Sequence, residues 1–389
     1  MCDRLSVYLH IPFCIKKCGY CDFLSFPLRE PAENGIPDTY FRRLLKEIQE
    51  ESLRYTDRTV DSVFIGGGTP SLLSVYQFSS LMEALYRCFK ISHDAEITIE
   101  VNPGTLVEEK ILSYRNGGIN RLSFGLQSSC NHELELLGRI HRYEDFERNY
   151  DLARNCGFKN INVDLISGLP GQTIENWEHI LRTVATLGPE HISAYGLMIE
   201  EGTPFFERYG CRDTKSIEEL PSEETERDMY HMTAVVLDEY GYKQYEISNY
   251  AKAGYECRHN IGYWIRKNYV GLGLGAASLV DNVRWKNTSV MKEYLDSDSA
   301  SSGESPVKQE ITFLSKQEQM EEYMFLGLRM NDGISEEEFL KCFGETPEEV
   351  YGPWISRMVD EKLLSVGERI CLTKKGQDLS NYVMAGFLK

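Results

Sequence analysis

Tyr8-Leu9-His10-Ile11-Pro12-Phe13-Cys14-Ile15-Lys16-Lys17-Cys18-Gly19-Tyr20-Cys21 joins the two signals that decide how this chain folds. Its first half continues an alternating run over 6–10, which reads as a strand. Its second half is a cysteine loop of spacing C-x3-C-x2-C. A strand that ends in such a loop places soft ligands at the C-terminal end of a sheet. Thiolates hold zinc or iron–sulfur clusters. A structural zinc needs a closed tetrahedron, and Asp22-Phe23-Leu24-Ser25 supplies no fourth cysteine. Three cysteines in one loop suit a [4Fe-4S] cluster with one iron left open to a small chelating ligand. On spacing, two plainer readings stand beside it: a zinc loop completed by His10 or a distant cysteine, and three unrelated buried thiols.

Outward from the loop, 27–37 is a connector rich in turn formers, and Phe41, Leu44, Leu45 and Ile48 then recur at helical spacing behind Asp38, a predicted N-cap. Strand-like runs follow at 62–65, 96–101, 121–126, 161–166 and 191–197, with helical stretches between them such as Trp177, Ile180, Leu181 and Val184. Six strands alternating with helices imply parallel strands with helices outside. Counting allows a partial barrel, a doubly wound sheet or an incomplete eightfold barrel. In a barrel, chemistry collects on the loops after the strands.

Beyond the sixth strand, 211–228 is acidic and turn-rich, a helix is predicted through Met232, Val235 and Val236, and 245–248 reads as one more strand. The serine-rich run 296–306 predicts a flexible loop and a boundary. From about 316 the order is helix, helix, a helix over 354–364, a hairpin around Gly367 and a last helix, which reads as a winged-helix-like domain. The predicted division is 1–210 as the core, 211–310 as an extension and 316–389 as a C-terminal cap.

Composition narrows the function. A chain of 389 residues with net charge −18 offers no basic surface for nucleic acid and no polybasic patch for anionic lipid. Its apolar runs fall short of the ~20 residues of a membrane span, and Met1-Cys2-Asp3-Arg4 lacks a signal-peptide core. Of its 11 cysteines, the eight outside the loop are scattered, which predicts a reducing, cytoplasmic compartment.

Several polar motifs sit at the predicted strand ends. In Gly66-Gly67-Gly68-Thr69-Pro70 the glycines let a ligand approach the backbone, although a tight turn needs the same residues. Glu100, ending the third strand, suits ribose hydroxyls, and Gln127 ends the fourth. Arg139 offers a fork of donors to a carboxylate. Asp164 is a lone acid in an apolar strand, costly unless paired. In Arg258-His259-Asn260-Ile261-Gly262-Tyr263-Trp264 an imidazole among aromatics suits an axial haem ligand, while most isolated histidines are structural.

The cysteine loop, with Tyr20 just before its last cysteine, resembles the cluster motif of radical S-adenosylmethionine (SAM) proteins. The flanking Tyr8-x-His10-Ile11-Pro12-Phe13-Cys14 resembles their coproporphyrinogen-dehydrogenase branch. This resemblance implies an α/β fold with a partial (β/α)6 TIM-like barrel, a C-terminal cap, and a [4Fe-4S] cluster on Cys14, Cys18 and Cys21 whose open iron binds SAM. It sets Gly67, Gly68 and Thr69 against SAM. It also likens Tyr8, Tyr20, Glu100, Gln127, Arg139 and Asp164 to SAM-contacting residues, some of which serve a second SAM in that branch.

The string His259-Asn260-x-x-Tyr263-Trp264 resembles the signature of HemW-type haem chaperones, relatives of the dehydrogenase. Phe23 agrees, because the dehydrogenase commonly carries a further cysteine there. The resemblance implies haem iron ligated by His259, with Tyr263 and Trp264 on or near the porphyrin. It departs at Ala277, in Gly271-Leu272-Gly273-Leu274-Gly275-Ala276-Ala277-Ser278, where relatives usually have histidine. The implied partners are haem, an acceptor haemoprotein and a reductant such as flavodoxin or ferredoxin. Two enzymatic alternatives are oxidative decarboxylation of coproporphyrinogen III and anaerobic opening of the haem ring.

Overall fold

The computed structural model describes residues 3–28, 35–210, 219–297 and 307–388. The connector, the acidic excursion and the serine-rich run expected at 27–37, 211–228 and 296–306 lie partly outside the described residues.

Strands β1 (Arg4–Ile11), β2 (Thr59–Gly67), β3 (Lys90–Val101), β4 (Arg121–Gln127), β5 (Ile161–Ser167) and β6 (His191–Gly196) pair in parallel, each with the next in chain order. Successive side chains of a strand face opposite ways. One set, including Val7, Leu9, Ile65, Phe124, Val163 and Ile192, is buried in the main core. The other set, including Tyr8, Phe64, Glu100, Gln127, Asp164 and Tyr195, lines a cavity. One face of six consecutive strands surrounds a cavity only if the sheet curves, so the α/β units form a partial barrel rather than a flat doubly wound sheet with both faces covered.

The crossovers carry α1 (Asp38–Ser52), α2 (Val75–Cys88), α3 (Glu108–Asn116), α4 (Asn131–Leu136), α5 (Tyr143–Asn155) and α6 (Ile174–Leu187). Their apolar stripes, such as Phe78, Leu81 and Leu85 on α2 and Trp177, Ile180 and Val184 on α6, are buried in that core. A capping box opens α2: Ser74 Oγ accepts from Gln77 N (3.2 Å) and Gln77 Oε1 accepts from Ser74 N (3.2 Å). At α1 the N-cap is Pro37, and the expected cap, Asp38, is the first helical residue. Its charge there still complements the helix dipole.

After α7 (Pro204–Tyr209) and α8 (Glu223–Glu239) come strands β7 (Lys243–Gln244) and β8 (Asn249–Ala251); β8 pairs antiparallel with the edge of β6, and β7 pairs antiparallel with β8. The strand expected at 245–248 is the turn between them. Glu246 closes that turn by accepting from Ser248 N (2.9 Å) and Asn249 Nδ2 (2.5 Å). The chain then forms α9 (Arg258–Trp264) and returns as β9 (Tyr269–Leu272), parallel to β1 on its free edge. Antiparallel β10 (Ala277–Val280), β11 (Val283–Asn287) and β12 (Lys308–Phe313) follow, with α10 (Met291–Asp296) between the last two. Among the described residues the sheet has twelve strands in the order β12-β11-β10-β9-β1-β2-β3-β4-β5-β6-β8-β7.

The C-terminal segment comprises α11 (Lys316–Gly327), β13 (Ile334–Ser335), α12 (Glu336–Phe343), α13 (Pro347–Asp360), β14 (Leu364–Val366), β15 (Arg369–Leu372), α14 (Lys374–Asp378) and α15 (Ser380–Ala385). Its own core includes Met324, Phe339, Tyr351, Met358, Val383 and Phe387. The helix expected over 354–364 stops at Asp360, because Lys362 takes a φ of 60° and Leu363 N donates back to Met358 O (2.8 Å). Among the described residues no helix is long and apolar enough to cross a membrane.

Candidate functional site

The loop after β1 is pinned on both sides. Gly19 N donates to Leu137 O (3.0 Å), Gly19 O accepts from Phe205 N (2.9 Å), and Leu28 N donates to Cys14 O (2.8 Å). This brings Cys14, Cys18 and Cys21, all free thiols, to one recess of about 120 Å³. Burial raises the Cys14 thiol and pushes Cys21 up to about 11, so a metal that binds them displaces protons. His10 does not complete a zinc site: its Nε2 pairs with Leu24 O (2.8 Å) and its Nδ1 with the Tyr8 hydroxyl (2.9 Å). Among the described residues no three His, Cys, Asp or Glu side chains converge to hold a single metal ion.

A hydrogen-bonded chain joins two of the thiols. Thr69 Oγ1 donates to Cys14 Sγ (3.4 Å) and accepts from Asn102 Nδ2 (3.0 Å). Asn102 Oδ1 accepts from Arg139 Nη2, which also donates to Gly125 O (2.5 Å). Arg139 Nη1 lies 3.6 Å from Cys18 Sγ, while its Nε is buried without a partner.

The glycine run acts first on the loop. Gly67 takes a φ of 115°, and its N–H donates to Glu100 Oε2 (3.0 Å). Sequence predicts that Gly68 leaves room for a ligand, yet a Cβ there would stand 2.7 Å from Phe13 O. The cysteine loop's own backbone fills that space. Burial, with Asp164 nearby, pushes Glu100 up to about 8. Burial also raises Asp164, although Asn162 Nδ2 (2.8 Å) and Ser123 Oγ (3.2 Å) donate to it. Gln127, at a φ of 76°, lies where the β4–β5 register slips.

Tyr20, Cys21, Phe23, Glu100, Gln127 and Asp164 line both this recess and a larger cavity of about 530 Å³. Tyr8, His259, Asn260 and Tyr263 line the larger one. Phe23 (63% exposed), Met198 (69%) and Tyr195 (39%) give it an apolar rim.

His259 is buried near the N-terminus of α9. Ser62 Oγ donates to Ser6 Oγ (2.8 Å), so it accepts from His259 Nδ1–H (3.0 Å), and the Nε2 lone pair faces the Tyr263 hydroxyl (2.9 Å). Burial, reinforced by Lys267 and Arg121, pushes this imidazole down to about 3 and keeps it neutral. Its ring packs against Phe64 (5.2 Å) and edge-on to Tyr263 (5.0 Å).

Two residues singled out from sequence lie elsewhere. Trp264 turns away from the cavity: Arg329 sits 4.3 Å over its ring, beside Phe325 and Leu326 of α11. Ala277 begins β10, exposed and outside the cavity lining.

Sequence reasoning missed Asn102, Arg121, Asn162 and Glu96. Glu96 anchors α9 by accepting from Arg258 N (3.0 Å) and His259 N (3.0 Å). Their signal was alternation: each occupies a polar place in phase with a chosen residue or just past a strand end.

Residues 8–184 match the Radical SAM superfamily, and residues 314–379 match the HemN C-terminal domain. The fold is similar to that of coproporphyrinogen III oxidase (HemN) from Escherichia coli, a radical SAM enzyme. The TM-score is 0.84 at 26% identity, over 98% of this chain and 89% of that one. Heme chaperone HemW of Bacillus subtilis is 36% identical over 98% of this chain and 99% of its own length. Heme chaperone HemW of Lactococcus lactis is 36% identical over 98% of this chain and 97% of its own. HemW of Escherichia coli is 40% identical over 70% of this chain and 69% of its own. With similarity running nearly end to end through a radical SAM barrel and a HemN-type C-terminal domain, this chain belongs to the heme chaperone HemW family.

Proposed function

We propose that this chain binds haem in the larger cavity through His259 and passes it to an acceptor haemoprotein. One observation carries the reading. His259 is a neutral imidazole whose Nε2 lone pair faces a rotatable hydroxyl, on the wall of a cavity of about 530 Å³. Neutral imidazole suits iron, and the rim of Phe23, Met198 and Tyr195 suits a flat apolar macrocycle. The names of the relatives, heme chaperones, point the same way.

The smaller recess has the donor set for a [4Fe-4S] cluster: three free thiols in one loop, with His10 already engaged. Such a cluster, with SAM as exchangeable ligand of its open iron, would supply one-electron chemistry beside the haem cavity. Within this chain, Cys14, Cys18 and Cys21 would hold it, and Arg139, whose buried Nε lacks a partner, suits a ligand carboxylate. Glu100, pushed up to about 8 and so mostly protonated at pH 7, suits hydroxyl groups. The electron source would be a ferredoxin or flavodoxin.

Haem titration of wild type and His259→Ala tests the reading. We expect a Soret band in wild type that shifts or vanishes in the variant, with circular dichroism and cluster content unchanged. A wild type that never binds haem, reduced or oxidised, with or without SAM, would end the chaperone reading. The fold's similarity to coproporphyrinogen III oxidase favours a second, enzymatic reading. Anaerobic incubation of the reduced protein with SAM and coproporphyrinogen III, read by mass spectrometry, separates the two. We expect no loss of carbon dioxide.

A further inference from the structure

In that reading Arg121 serves only as one of the charges that keep His259 neutral, and nothing yet assigns it a contact with the ligand. It opens β4 in phase with Ser123, Gly125 and Gln127, so its side chain enters the cavity instead of the helix-facing core. It is 2% exposed, forms no ion pair among the described residues, and its Nε has no hydrogen-bond partner. The titratable groups around it are Cys257, Glu96, Tyr245, Asp164, Glu100, His191 and His259. The three acids are already engaged: Glu96 by Arg258 N, His259 N and Cys257 Sγ (3.5 Å), Asp164 by Asn162 and Ser123, and Glu100 by Gly67 N (3.0 Å). A guanidinium carries five donors and does not shed its charge. Buried without a direct partner it is costly, and an anion in the cavity would relieve that cost. Its flat fork matches a carboxylate.

We propose that Arg121 anchors a carboxylate of the cavity's ligand, a propionate of the tetrapyrrole. The choice of tetrapyrrole rests on the haem reading above; the choice of carboxylate rests on Arg121. The amino-acid end of SAM is the other source of a carboxylate. Arg121 lines only the cavity shared with His259, whereas Arg139 lines the cysteine recess, where a chelating carboxylate would sit.

The test uses metal-free protoporphyrin IX and its dimethyl ester, titrated into the whole protein and read by fluorescence. Neither probe has iron, so neither needs His259. Wild type should bind the diacid roughly 10- to 100-fold tighter than the diester, the range of a charge-assisted hydrogen bond. Arg121→Gln should bind both alike, at the diester's affinity, with SAM affinity unchanged by calorimetry. Equal binding of diacid and diester by wild type overturns the proposal, and that measurement needs no variant to fold. A diacid preference that survives in Arg121→Gln overturns it too, and would leave Arg121 as a counter-charge for Glu96 and Asp164. A fall in SAM affinity without any change in the porphyrin preference overturns the propionate assignment. If haem gives no Soret change at His259 while the diacid preference holds, the iron-ligand reading fails and this one stands.

Discussion

A single methyl group separates two accounts of Gly68. A Cβ there would stand 2.7 Å from Phe13 O and 2.9 Å from Phe13 N, immediately before Cys14. Gly68→Val is therefore expected to displace the cysteine loop and lower iron incorporation together with SAM binding. Full iron content after anaerobic reconstitution, with only SAM affinity lost, would mean that the ligand rather than the loop needs this space. His191 governs another residue-scale behaviour. Its Nδ1 pairs with Asn162 Oδ1 (2.6 Å) and its Nε2 with the Tyr245 hydroxyl (2.8 Å). Burial, then Arg121, holds it well below the usual imidazole range. The unfolded chain protonates this histidine below about pH 6.5 while the folded one does not. Its share of stability is thus present above that pH and lost as pH falls below it, by up to about 1.4 kcal/mol per pH unit. His191→Gln removes that proton, so its urea midpoint should fall less between about pH 7 and pH 5 than the wild type's. Parallel profiles would reject the assignment.

At the scale of elements, α9 is the joint of the molecule. It has only seven residues and depends on tertiary contacts rather than on its own length. Glu96 of β3 takes the N–H groups of Arg258 and His259 at its N-terminus. His259 and Tyr263 are four residues apart and share one face, which lines the cavity. Trp264, about 100° further round, packs under Arg329. Trp264→Ala should then leave haem affinity and the Soret band unchanged while costing about 1–3 kcal/mol of stability from lost packing. A shifted Soret band in that variant would put the indole back against the porphyrin.

Across the whole molecule, a buried carboxylate is one of the ties between the C-terminal segment and the barrel, beside the Arg329–Trp264 contact and the Asn331–Gln244 hydrogen bond. Glu322 of α11 is 6% exposed and accepts from Arg266 Nε (2.9 Å) and Arg284 Nη1 (2.6 Å). Arg266 is itself buried in this pair. Removing one partner strands the other, at about 3–5 kcal/mol. Because the segment has a core of its own, Glu322→Ala should convert unfolding into two separated transitions in urea. A single transition at the wild-type midpoint would show that other contacts hold the segment.

The amino-acid sequence by itself determined what is local and periodic. The cysteine spacing, the alternation that set Glu100 and Asp164 on one face of their strands, and the helix stripes are all short-range patterns. The family string at His259 was equally legible. Only the tertiary structure decided what each face meets. Nothing near Gly68 in the chain announces that Phe13 fills its space, and His259 owes its backbone anchor to Glu96, 163 residues earlier. The return of β9 to the free edge of β1, the closure of 245–248 into a turn by Glu246 and the outward course of Trp264 are of the same kind. Arg121 shows the distinction most directly. Its place in the strand could be read from alternation, but its lack of a partner is a property of every element around the cavity at once. Periodicity reports the direction of a side chain. Pairing and burial depend on groups that only folding brings together.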